Sequence, residues 1–205
     1  MSITYRVPIY RLKLVKDKVL QFTDANVDQP HVAARLLARL IGASDREQLV
    51  AIFLDGYKDI VGAHVVAVGC LDSCRTTPRE VFKAAIVANA HGIVLGHNHP
   101  SGGIEPSEAD IRLTRKLVRV GALLGVPILD HLIVWRRQWC SFVELGLLPM
   151  SSAVELALTS DGENRPPPIL SVPPGLASQF RRNDLSIDPG THPPNAIPQK
   201  GGFDR

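Results

Sequence analysis

The chain has 205 residues, of which 45% are hydrophobic and 21% charged, with a formal net charge of +3. One packed domain with appendages is the expectation at this length, and the apolar content suffices for a real core. The charge surplus is too small to identify a nucleic-acid partner, and it is uneven: residues 1–150 hold 18 Lys/Arg against 14 Asp/Glu, residues 151–205 hold 5 against 6. No uncharged apolar stretch approaches the roughly 20 residues a membrane span needs, and the first ten residues lack the apolar region of a secretory leader. Three cysteines, Cys70, Cys74 and Cys140, fit free thiols in a reducing cytoplasm.

In chain order, residues 1–25 read as an extended arm, alternating through Tyr5, Val7 and Ile9, which Pro8 demotes to an edge strand or a strap. A domain spans 26–150. Its first helix is marked by Val32, Leu36 and Leu40 with Ala33, Leu37 and Ile41, and Gly42 ends it. Gln48–Leu54 is a continuous apolar strand followed by an Asp55-Gly56 turn, and Ile60–Val68 supplies one or two more strands. Pro78 to Asn89 is a helix with Thr77 as N-cap and Glu80 at N3. Gly92–Gly96 is a buried strand, Ser107 to about Leu124 an amphipathic helix, and Val126–Val134 a buried strand paired with Trp139–Val143. From 151 to 205 the texture changes, and ten of the 16 prolines lie in 149–205. That tail is expected to be disordered, with polyproline stretches suited to a protein partner.

The most informative segment is His97 to Asp110, HNHPSGGIEPSEAD. Histidines two apart on an extended segment project to one side, so His97 and His99 can face one ion at the C-terminal mouth of the strand before them. Two neutral imidazoles and the Asp110 carboxylate form a ligand set that zinc accepts. Three protein ligands leave a fourth position for water, the mark of a catalytic site. Taken alone, Ser107 and Asp110 are a capping box at a helix start, and a lone histidine is an ordinary core or surface residue. The tripeptide His97-Asn98-His99 also spells the name of a nuclease motif, but that motif spreads its residues over a longer ββα segment. Cys70 and Cys74 are half of a metal site at most, and they read as small apolar loop residues.

The pattern H-x-H-x₇-S-x₂-D resembles the JAMM motif of the MPN/JAB metalloprotease superfamily. The text TTPREVFKAAIVANAHGIVLGHNHPSG, with PSEAD and PILDHLIV after it, is similar to the RadC branch. The resemblance covers roughly Val32 to Leu148. It implies a three-layer α/β domain of MPN/JAB (cytidine-deaminase-like) type with a mixed curved sheet. It also implies one zinc per chain held by His97, His99 and Asp110, and cleavage of peptide or isopeptide bonds. RadC proteins commonly carry a helix-hairpin-helix region, which this chain has no room for before Val32, so the short form is expected. A zinc deaminase of related fold would need H-x-E and P-C-x-x-C; position 99 is His.

In the JAMM family the general base is a glutamate upstream of H-x-H, a place Glu47 occupies, with Glu80 as competitor. The resemblance makes Ser107 a donor to the oxyanion or a guide for water. Asp130 and His131 are either support behind the ligands or ordinary strand-end polarity. Arg112, Arg115, Lys116 and Arg119 on the long helix read first as a solvated face and second as a rim for a phosphate backbone. The alternative function is therefore a DNA-repair or replication-associated protein whose metal site is secondary.

Overall fold

The computed structural model of the chain describes residues 6–69, 76–148 and 183–184. The elements run α1 (Pro30–Ile41), β1 (Gln48–Leu54), β2 (Ile60–Val68), α2 (Pro78–Val87), β3 (Gly92–His97), α3 (Glu108–Leu124), β4 (Ile128–Trp135), β5 (Gln138–Ser141) and β6 (Asn183–Asp184). One sheet takes them in the order β2-β1-β3-β4-β5-β6. Only β3 and β4 are parallel, as a crossover through α3 requires; the other pairs are antiparallel. The mixed α/β reading of the sequence holds.

Alternation along the strands builds two cores. Leu49, Ala51 and Phe53 of β1, with Ile93 and Leu95 of β3, pack with Val81, Phe82, Leu117 and Val118 of α2 and α3. Val50, Ile52 and Leu54, with Val94, Leu132 and Val134, pack against Val32, Leu36, Leu37 and Ile41 of α1. A strand with apolar residues on both faces reads as an unbroken run, because each face meets a helix layer. Gly121 sets the approach of α3: a Cβ there would lie 2.6 Å from the Val126 carbonyl and 3.1 Å from Phe82.

Several expectations change in detail. Residues 6–25 form no strand; Val7, Ile9, Tyr10 and Leu12 are exposed, and only Leu20 and Phe22 reach the α1 core. Thr77 is the N-cap of α2, but its side chain makes no capping bond. Glu80 pairs instead with Lys83, one turn along the same face. Ile60–Val68 is one strand, with irregular register opposite Leu49/Val50 and Phe53/Leu54. The last hairpin turns at Arg136, whose φ is 52°. Cys70 and Cys74 lie outside the described residues, as does most of the tail, whose residues Asn183–Asp184 pair with β5. Among the described residues no helix is long and apolar enough to cross a membrane.

Candidate metal centre

β3 ends at His97, and every residue of the strand is buried. Leu95 faces α2 and α3, so the two-residue period carries His97 and then His99 to that side and Asn98 to the opposite one. Antiparallel pairing sets Leu49 of β1 against His97. Glu47, two residues before Leu49, lies in the same group as His97 and His99. The parallel partner β4 brings His131 against Leu95 on the other flank.

Asp110 enters from α3. Ser107 caps that helix, its Oγ accepting the Asp110 N–H at 3.2 Å. In return Asp110 Oδ2 accepts the Ser107 N–H at 2.8 Å and its hydroxyl at 2.6 Å. The capping box thus aims the carboxylate back across the helix start. Its Oδ1 lies 3.3 Å from His97 Nε2 and its Oδ2 3.4 Å from His99 Nε2. The two Nε2 atoms are 3.0 Å apart. Donors about 2.0–2.1 Å from a tetrahedral zinc stand about 3.3 Å from one another, so the donor set fits that ion. Glu47 completes the group: one ligand atom from each of Glu47, His97, His99 and Asp110 falls within 4.8 Å of the others.

The surroundings hold these groups in place. His97 Nδ1 lies 2.8 Å from His131 Nε2, and His131 Nδ1 lies 2.6 Å from Thr114 Oγ1. The Thr114 hydroxyl donates to the Asp110 carbonyl at 2.6 Å. His97, Asn98 and His131 are wholly buried, and Thr114 nearly so. The peptide of Glu47 is gripped from outside as well, its carbonyl accepting the Gly69 N–H at 2.8 Å. Cys140, buried under the loop after His99, donates to the Ile104 carbonyl at 2.8 Å, and burial pushes its thiol up to about 12.

Charge follows the same geometry. Burial alone would raise the Asp110 carboxyl, but the close His97 and His99 rings and the Ser107 hydroxyl hold it well below the usual range. The Asp110 carboxylate raises His99 against the desolvation that lowers it, and a hydrogen bond to the Gly103 backbone adds to the rise. Burial lowers His131 well below an ordinary histidine and so favours its neutral form. Asp130 is pushed up to about 6, chiefly by burial, against the opposing bonds from Ser141, Val143 and His131.

The structure therefore gathers Glu47, His97, His99, Ser107 and Asp110 at one end of the sheet. Glu80 stands elsewhere, on α2 beside Lys83 and His64. Asp130 does not support His131 through its ring; it accepts the backbone N–H groups of His131 and Val143 and the Ser141 hydroxyl. Asn98 and Thr114 escaped the sequence reading. A polar residue between two same-side histidines, and a threonine one turn after Asp110 on the apolar face of α3, were the signals.

The family model for the RadC-like JAB domain matches residues 27–147. The chain belongs to that family. The match runs from just before α1 to just after β5, so the RadC-like JAB domain includes every residue of the centre. Similar proteins include a UPF0758 protein of Thermosynechococcus vestitus, 36% identical over 119 residues, covering 58% of this chain and 48% of the relative. A UPF0758 protein of Symbiobacterium thermophilum is 40% identical over 119 residues, 58% of this chain and 51% of its own. One of Chlorobaculum parvum is 46% identical over 103 residues, 50% of this chain and 46% of its own. The chain spans about half the length of these relatives, and their names state no activity.

Proposed function

We propose that this RadC-like JAB domain is a zinc-dependent hydrolase of peptide or isopeptide bonds. The observation that supports it is the convergence of His97 Nε2, His99 Nε2 and the Asp110 carboxylate at 3.0–3.4 Å, with Glu47 in the same group. Zinc held there would polarise a carbonyl and bring the pKa of a water near neutrality. Glu47 is the base: its carboxylate takes a proton from the attacking water and returns it to the leaving nitrogen. Ser107 orients Asp110 through its hydroxyl; serving an oxyanion would require that hydroxyl to turn away from Oδ2.

Elemental analysis of protein prepared without chelator tests the centre. Near-stoichiometric zinc is expected, lost in His97→Ala and Asp110→Ala, and metal retained in both variants overturns the assignment. Glu47→Gln keeps the zinc while metal-dependent cleavage of an extended peptide or isopeptide falls by roughly 10²–10⁴-fold. The second reading, nucleic-acid contact, is supported by the exposure of Arg112, Lys116 and Arg119 on α3. It gains the first place if zinc-loaded protein cleaves no peptide, and binds DNA with a steep salt dependence that charge reversal at those residues abolishes.

A further inference from the structure

We infer that Thr114 and His131 form a proton-placing relay behind the metal centre, which fixes the proton of His97 on Nδ1 and leaves Nε2 as the metal donor. The inference rests on the metal-centre reading and extends it to two residues that touch no metal. Three contacts in series carry it. The Thr114 hydroxyl has one proton, and the Asp110 carbonyl 2.6 Å away accepts it. The Thr114 oxygen then faces His131 Nδ1, also at 2.6 Å, as an acceptor, so Nδ1 carries the His131 proton. A neutral His131 with its proton on Nδ1 presents a lone pair at Nε2. That lone pair lies 2.8 Å from His97 Nδ1, which must then be the protonated nitrogen of its ring. Each step leaves one donor facing one acceptor, and the last frees His97 Nε2 towards Asp110 Oδ1 and His99.

The relay begins on the carbonyl of one ligand, Asp110, and ends on the ring of another, His97. It therefore ties the first turn of α3 to the end of β3 through the interior, independently of any ion. His97 and His131 are wholly buried, so a wrong tautomer would face the same partners with its donors and acceptors mismatched. If His131 carried its proton on Nε2, two ring nitrogens would compete to donate across 2.8 Å, or His97 would be forced to protonate Nε2 and stop being a ligand there. Stacking of the His131 ring on Phe142, with centroids 4.7 Å apart, keeps the imidazole in the plane that joins the two partners. Thr114 and His131 are thus positioning residues.

Thr114→Val keeps the shape of the side chain and removes the hydroxyl, whereas Thr114→Ser keeps the hydroxyl and loses a methyl group. Zinc affinity is measured by chelator competition on the full chain, with a thermal melt for each variant. Thr114→Val is expected to bind zinc roughly 10–100-fold more weakly, and Thr114→Ser close to wild type. Imidazole ¹⁵N shifts supply a second readout, with Nδ1–H tautomers expected for both His97 and His131 in zinc-loaded wild type. Equal affinity of Thr114→Val and wild type overturns the relay, as does an Nε2–H tautomer of His131 in the loaded protein. If Thr114→Ser loses as much as Thr114→Val, packing rather than the hydroxyl is responsible, and the relay also falls. Failure of the metal-centre reading looks different: wild type itself binds no zinc.

Discussion

The side-chain oxygen of Asn98 accepts the backbone N–H of Gln48 at 2.9 Å. Its Nδ2 donates to the carbonyls of Arg46 and Ser44 at 3.0 and 3.3 Å. One wholly buried amide, placed between the two histidines, thus holds the backbone on both sides of Glu47. Asn98→Ala leaves these groups without that partner and is expected to cost about 1–3 kcal/mol of stability. Because His97 and His99 project to the other face, zinc affinity is expected to survive while Glu47-dependent hydrolysis falls. Urea denaturation and zinc titration of the same variant check both halves. Full hydrolysis in a destabilised variant would show that the grip on Glu47 is dispensable.

Zinc binding should weaken on acidification earlier than an ordinary histidine pair would allow. The Asp110 carboxylate raises His99 above the usual histidine value, so protons compete for that ligand from above pH ~6.5 downward. Affinity is expected to fall about tenfold per pH unit for each proton displaced once that range is entered. Chelator competition between pH 8 and 5 reads the slope. A flat profile down to pH 5.5 would contradict the raised value.

The sequence carried the candidate ligands because their information is local. Two histidines on one strand end and a capped aspartate on the next helix are each a short-range pattern, and their directions follow from strand and helix periods. The sheet was legible for a similar reason: Gln48–Leu54 and Gly92–Gly96 are apolar on both faces, as strands between two helix layers must be. Non-local placement was not legible. Nothing near Glu47 in the chain shows that antiparallel pairing of Leu49 with His97 will bring it to the metal group. His131 reaches His97 only through the parallel register of β3 and β4. Of the two expectations for the arm, edge strand or strap, the edge strand does not form over residues 6–25: Pro8 and the Arg, Lys and Asp residues between 11 and 18 interrupt its alternation.

Asp130 gives a pH-dependent term in stability. Burial pushes its pKa up to about 6 from the ordinary carboxyl value of 3.8, so the folded state favours the protonated form. The contribution is fully present below pH ~3.8 and is lost as pH rises through about 6, a difference of about 3 kcal/mol by linkage. Asp130→Asn keeps the acceptor for the His131 and Val143 N–H groups and removes the ionisation. The wild-type stability minus that of Asp130→Asn is therefore expected to decline between pH 4 and 7. Paired denaturant titrations across that range measure it, and a constant difference would show that Asp130 ionises in the fold as freely as in the unfolded chain.

Gly96, immediately before His97, makes the site sensitive to packing on the far face of the sheet. A Cβ at Gly96 would lie 2.2 Å from Leu37 Cδ1 and 2.5 Å from its Cδ2. Neither side can retreat easily. Leu37 is wholly buried in α1, and the Gly96 backbone is bound between Val50 and Leu132. Gly96→Ala is expected to destabilise by about 1–3 kcal/mol through overpacking, and to weaken zinc binding because the strain falls next to the His97 peptide. Leu37→Ala alone leaves a cavity and costs about 2–5 kcal/mol. Combined, the two should cost less than their sum by about 1 kcal/mol or more, since the truncated leucine makes room for the new methyl. Zinc affinity in the double variant should recover towards wild type. Strictly additive costs, with no recovery of zinc, would place the strain of Gly96→Ala in the strand backbone rather than against Leu37.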